Sequence, residues 1–66
     1  MQISMKAARV NAGLRQKEAA EQLGVSNKTL INWEKGLSYP RIDQFQKLAA
    51  LYGVTVDDIF LPVAST

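Results

Sequence analysis

Residues 16–36 read QKEAAEQLGVSNKTLINWEKG. The apolar positions fall into two groups at helical spacing: Ala19, Ala20 and Leu23, then Leu30 and Trp33. Gly24, Val25 and Ser26 stand between them. Glycine readily takes the left-handed backbone that ends a helix, and serine caps the start of the next. The spacing therefore predicts a helix over 16–23, a tight turn at Gly24 and Val25, and a second helix over 27–35 stopped by Gly36. A turn this short makes two helices cross steeply and leaves the second one protruding. Small Ala20 allows the close crossing, and Val25 fills the gap between the pair.

The outward side of the second helix carries Asn27, Lys28, Thr29 and Asn32, all hydrogen-bonding side chains and none a carboxylate. Such a face suits the floor of a DNA major groove. Asparagine matches the N6 and N7 edge of adenine, and lysine donates to O6 and N7 of guanine. Lys28 and Asn32 are one turn apart and project together. The plainer reading of the same residues is the polar side of a surface helix. Trp33 is a base-stacking candidate by type, but its spacing from Leu30 assigns it to the core. Ile31 fits either a thymine methyl or partial burial. Lys17, Lys35 and Arg41 can neutralise phosphates or simply be solvated. Gln16 lies in a first helical turn, where free N–H groups attract a phosphate.

The flanks read as support. Ser4 caps a helix over Met5–Ala12 with Met5, Ala8 and Ala12 on one face and Arg9 beside it. Gly13 stops that helix, and Leu14 is placed to pack on Ala19. Residues 37–40, LSYP, form a loop in which Tyr39 is a plug or a phosphate donor. Pro40 opens a helix over Arg41–Tyr52 that buries Ile42, Phe45, Leu48, Ala49 and Tyr52. After Gly53, Thr55 caps a last short helix, with Asp58 in the capping-box position. Ile59, Phe60 and Leu61 either close the monomer core or form a small dimer interface. Pro62 is expected to end regular structure and residues 63–66 to fray. The expectation is one domain over 1–66, all-α, with five short helices and no strand.

Composition narrows the function classes. The chain has 66 residues, no Cys and no His, which removes disulfide staples and the common zinc sites. A domain this small buries only roughly 60% of its unfolded surface, so it needs a well-filled core or a partner. No apolar run approaches the roughly 18 residues of a membrane span, and no signal-peptide core opens the chain. A cytoplasmic protein is expected, associated with the nucleoid when bound. Net charge is +2, but the charge is uneven. Residues 1–41 hold Lys6, Arg9, Arg15, Lys17, Lys28, Lys35 and Arg41 against Glu18, Glu21 and Glu34; residues 42–66 hold Lys47 against Asp43, Asp57 and Asp58. A binding surface for an anion belongs to the first part.

From Gln16 to Lys35 the sequence resembles the helix-turn-helix of the Cro and phage-repressor family, the xenobiotic-response-element family of bacterial regulators. Ala19, Ala20, Leu23, Gly24, Val25, Leu30 and Trp33 stand where that family's pattern wants them. RVNAGLRQ before the motif, WEKG and Pro40 after it, and GVTVDDIF near the end agree as well. The resemblance covers roughly Met5 to Pro62. It implies a compact five-helix, lambda-repressor-like domain. It assigns base reading to Asn27, Lys28 and Asn32 with Ser26 and Thr29 beside them, and backbone contact to Gln16, Lys35 and Arg41; Lys17, by its charge, and Ser26, by its place at the helix start, are expected to join the backbone contacts. It also makes Arg9 and Glu34 a largely buried ion pair tying the first helix to the third. Two positions depart from the pattern. Arg15 stands where Ser or Thr usually caps the second helix, and Ile31 where a polar residue is usual.

The function implied is sequence-specific binding of double-stranded DNA by a transcriptional regulator of the Cro-like repressor kind, occupying operator half-sites as a homodimer at least on DNA. A protein of this length fits a phage or prophage regulator, an antitoxin, a restriction controller, or the N-terminal domain of a longer repressor. The alternative from another class is a protein-interaction adaptor on the same fold, against which the Asn, Lys and Thr face argues. An enzyme is not expected: the chain offers no His, no Cys and no glycine-rich phosphate loop, and its adjacent Asp57 and Asp58 read as first-turn charges. No cofactor, metal, membrane or small-molecule ligand is implied.

Overall fold

A computed structural model describes residues 2–61. The order of elements is β1 (Ile3–Ser4), α1 (Met5–Asn11), α2 (Gln16–Leu23), α3 (Asn27–Lys35), α4 (Ile42–Tyr52), a single 3-10 turn (Val56–Asp58) and β2 (Ile59–Phe60). The fold is predominantly helical, with four α-helices and a small sheet. The expected fifth helix is reduced to that one 3-10 turn. Pro62 and the tail over 63–66 lie outside the described residues.

Each helix begins and ends for a local chemical reason. Ser4 Oγ accepts the Ala7 N–H at 3.0 Å at the start of α1, and Ser26 Oγ accepts the Thr29 N–H at 3.0 Å at the start of α3. The arginines that open α2 and α4 cannot accept a bond. There the third helical residue reaches back instead: Glu18 Oε1 accepts the Arg15 N–H at 3.0 Å, and Gln44 Oε1 accepts the Arg41 N–H at 2.9 Å. The cap position lost at Arg15 is thus half replaced. Helix α4 starts one residue later than expected, at Ile42, with Arg41 as its cap residue. Between α2 and α3, Gly24 has φ +71° and a Cβ there would meet nothing within 4 Å. Backbone handedness, not space, requires glycine at that turn. The Val25 N–H then donates to the Ala20 carbonyl at 3.0 Å, locking the turn onto the helix it leaves.

The core is shared by all the elements. Met5 and Ala8 of α1, Ala19, Ala20 and Leu23 of α2, Leu30 and Trp33 of α3, Leu48, Ala49 and Tyr52 of α4, and Ile59 of β2 are buried. Leu14, Val25 and Phe45 pack at its margin. Two expected core residues fall outside it. Ala12 follows the last residue of α1 and is exposed. Ile42, the first residue of α4, is 77% exposed.

The strands correct the expectation of an all-helical chain. β1 and β2 run parallel, with Ile3 opposite Ile59 and Ser4 opposite Phe60. Gln2 Nε2 adds a bond to the Asp57 carbonyl at 3.3 Å. Alternation along β2 turns Ile59 inward and leaves Phe60 44% exposed. Of the two readings of this apolar cluster, closure of the monomer core therefore holds for Ile59 and not for Phe60.

Candidate nucleic-acid interface

Helix α3 separates its residues by face. Leu30 and Trp33 point into the core, while Lys28, Asn32 and Lys35 recur at four- and three-residue intervals on the opposite stripe. Lys28, Asn27 and Lys35 are exposed, and Asn32 is half-buried. Ile31, beside this stripe, is half-buried too. The stripe holds two cations and an amide and no carboxylate. The one acid of the helix, Glu34, is four residues beyond Leu30 and so falls on the inner face.

Thr29 is less available than its type implies. Its hydroxyl and that of Ser26 lie 2.8 Å apart and share a hydrogen bond. Ser26 also caps the helix, so both side chains are engaged at the start of α3. Asn27, Lys28 and Asn32 take no part in this cap. At the far end, the Asn32 carbonyl accepts the Leu37 N–H at 2.9 Å, which holds the loop after α3 close to the helix end.

Around this helix the structure distributes the other candidates. Lys17 is exposed in the first turn of α2. Arg41 is exposed at the start of α4 and faces Asp43 at 3.8 Å, both side chains more than three-quarters exposed. A pair that open to solvent is worth little, so Arg41 can exchange it for a phosphate at small cost.

Arg9 and Glu34 meet beneath the interface. Arg9 Nε donates to Glu34 Oε2 at 2.8 Å, with the two side chains only 8% and 5% exposed. A second nitrogen, Nη2, donates to Oε1 at 3.4 Å. The third, Nη1, donates to the Leu14 carbonyl at 2.9 Å, in the link between α1 and α2. Gln16 Nε2 donates to Glu34 Oε1 at 3.0 Å. Four segments are therefore joined through one carboxylate and one guanidinium. The Gln16–Glu34 bond spans 18 positions in sequence and two elements, and nothing in the spacing of either residue announces it.

Tyr52 of α4 lies within the electrostatic influence of this pair. Its ring is buried, and among the described residues its hydroxyl has no hydrogen-bond partner. Burial pushes the phenol up to about 12; the Glu34 charge adds to the rise and Arg9 opposes it. Sequence alone places Tyr52 in the core but gives no sign that its hydroxyl feels the charges of Glu34 and Arg9.

The helix-turn-helix family model matches residues 5–59. The chain is 45% identical over 53 residues to the HTH-type transcriptional regulator ImmR of Bacillus subtilis, a match covering 80% of this chain and 42% of that protein. It is 37% identical over 51 residues to the cryptic phage CTXphi transcriptional repressor RstR of Vibrio cholerae, covering 77% and 46%. It is 38% identical over 61 residues to an uncharacterized HTH-type transcriptional regulator of Methanocaldococcus jannaschii, covering 92% of both. The chain thus spans less than half the length of the first two relatives and nearly all of the third. With the short turn at Gly24, the crossing of α2 on α3 and the outward stripe of α3 in place, these matches show that the chain belongs to the Cro and phage-repressor type of the helix-turn-helix family.

Proposed function

We propose that this chain reads double-stranded DNA by sequence and regulates transcription by occupying an operator. The observation that carries the reading is the outward stripe of α3: Lys28, Asn32 and Lys35 on one side, free of carboxylates, on a helix whose other side is anchored in the core. Insertion of such a helix into a major groove brings Asn27, Lys28 and Asn32 to base edges, with Thr29 beside them. Gln16, Lys17, Ser26, Lys35 and Arg41 then border the groove and contact phosphates, which fix register and make affinity fall with salt. ImmR and RstR, named as a transcriptional regulator and a transcriptional repressor, support this class of function. Two copies on adjacent half-sites would exclude polymerase, the phage Cro-like mode of repression.

Selection of bound sites from a random duplex library tests the reading. A palindrome with half-sites about one helical turn apart is expected; no enrichment would overturn it. On the selected site, Lys28→Ala should relax preference at one base pair by about 1–3 kcal/mol. Equal weakening on all sequences would make Lys28 a phosphate contact.

A further inference from the structure

Gln16 can serve a phosphate only if its amide presents nitrogen and not oxygen. The two ends of a side-chain amide have similar shape and opposite polarity, and a solvated glutamine samples both. Here one end is fixed. Gln16 Nε2 donates to Glu34 Oε1 at 3.0 Å, and an ionised carboxylate only accepts. Glu34 is itself held, because Arg9 binds both of its oxygens and Arg9 is anchored in turn on the Leu14 carbonyl at 2.9 Å. The guanidinium balances the carboxylate charge, so the pair adds no net negative charge beneath a phosphate.

We propose that Glu34 is a positioning residue for DNA binding: it locks the Gln16 amide with one N–H inward and keeps the second N–H for a backbone phosphate at the start of α2. The proposal rests on the DNA-reading function above. It gives the buried pair a duty beyond joining helices, since Arg9 steadies Glu34, Glu34 orients Gln16, and Gln16 meets the ligand. Fixing a donor before binding removes an ordering cost that a free side chain meets on association. Gln16 is half-buried, as such a bridge between Glu34 and the surface requires.

The test uses the selected operator and three variants: Gln16→Ala, Glu34→Gln and the two combined. A bond to a charged group implies about a tenfold loss of affinity for either single change, with the double variant no weaker than Gln16→Ala. Operators carrying one methylphosphonate at successive positions supply a readout that general loosening would not move. At one position, neutralising the phosphate should weaken the parent protein about tenfold more than it weakens either variant. Multiplying losses in the double variant, or parent-like affinity in a folded Glu34→Gln, would overturn the proposal. Because Glu34→Gln also loosens Arg9, the unaltered protein provides a second measurement. In its nitrogen-15 spectrum, one side-chain amide proton of Gln16 should shift when operator is added, while the Glu34-bonded proton keeps its position. Movement of both, or of neither, overturns the proposal. A parent chain that selects no duplex overturns this proposal together with the DNA-reading function; a chain that selects an operator but shows multiplying losses overturns the positioning role alone.

Discussion

Arg9 spends three nitrogens on both Glu34 oxygens and the Leu14 carbonyl, and its loss is costly to the fold. Arg9→Ala leaves Glu34 charged and buried with Gln16 as its remaining donor, and leaves the Leu14 carbonyl without its partner. Removing one member of a buried pair costs about 3–5 kcal/mol, a large share of what a small domain has in total. A strongly lowered melting temperature by circular dichroism is expected; an unchanged one would show the pair to be dispensable. Tyr52 behaves oppositely. In the folded state its phenol stays neutral up to about 12, whereas an unfolded tyrosine ionises near 10. The unfolded chain therefore releases the proton first. Stability is intact below pH 10 and declines as pH rises from there toward 12. Tyr52→Phe removes that decline and also removes a buried hydroxyl lacking a partner. Its urea midpoint should match or exceed the parent's at pH 7, and its advantage should widen above pH 10. A parallel decline in both proteins would place the alkaline sensitivity elsewhere.

The helices owe their positions to signals that a reader of the chain can see. Apolar spacing, Ser4 and Ser26 as caps and glycine after each helix give α1 to α4 to within a residue at either end. Ser26 is the most exposed of these dependencies, because its hydroxyl serves the Thr29 N–H and the Thr29 hydroxyl together. Ser26→Ala should cost about 1 kcal/mol, or about 4–8 °C of melting temperature in a domain of this size. A change below 1 °C would mean the start of α3 is held by packing alone. The strands gave no comparable signal. Two residues cannot display a period, and Ile3–Ser4 precedes a helix whose cap is one of its own members. Ile42 misled for a related reason: helical spacing reports which face a residue is on, and not whether the neighbouring elements extend that far. In the candidate interface, residue types and the turn identified the outward helix. The Gln16–Glu34 bond was illegible because it is a property of the crossing and not of either helix.

At the scale of the molecule, the pairing of β1 with β2 brings residues 3 and 59 side by side and closes the core over Ile59. Closure depends on which side chain alternation turns inward. Ile59→Ala should cost about 2–5 kcal/mol, while Phe60→Ala should fall within about 0.5 kcal/mol, as exposed substitutions do. Chemical unfolding of both variants distinguishes them, and equal losses would overturn the alternation. Phe60 also supplies a separate check on self-association, since a residue used between copies would make the melting temperature depend on protein concentration. Among the described residues no helix is long and apolar enough to cross a membrane.

The direction of that same pairing sets how the domain responds to tension. Because the strands are parallel and lie at opposite ends of the sequence, opposed forces applied through residues 2 and 61 run along the strands in opposite senses. They load the backbone bonds of the sheet together, in shear, instead of opening them one at a time from an end. A pull entering at residue 61 and leaving through the middle of α2 would instead peel β2 away from β1. The domain should therefore yield at different loads along these two axes, with the end-to-end axis the stiffer one, even though only two residues on each side form the clasp.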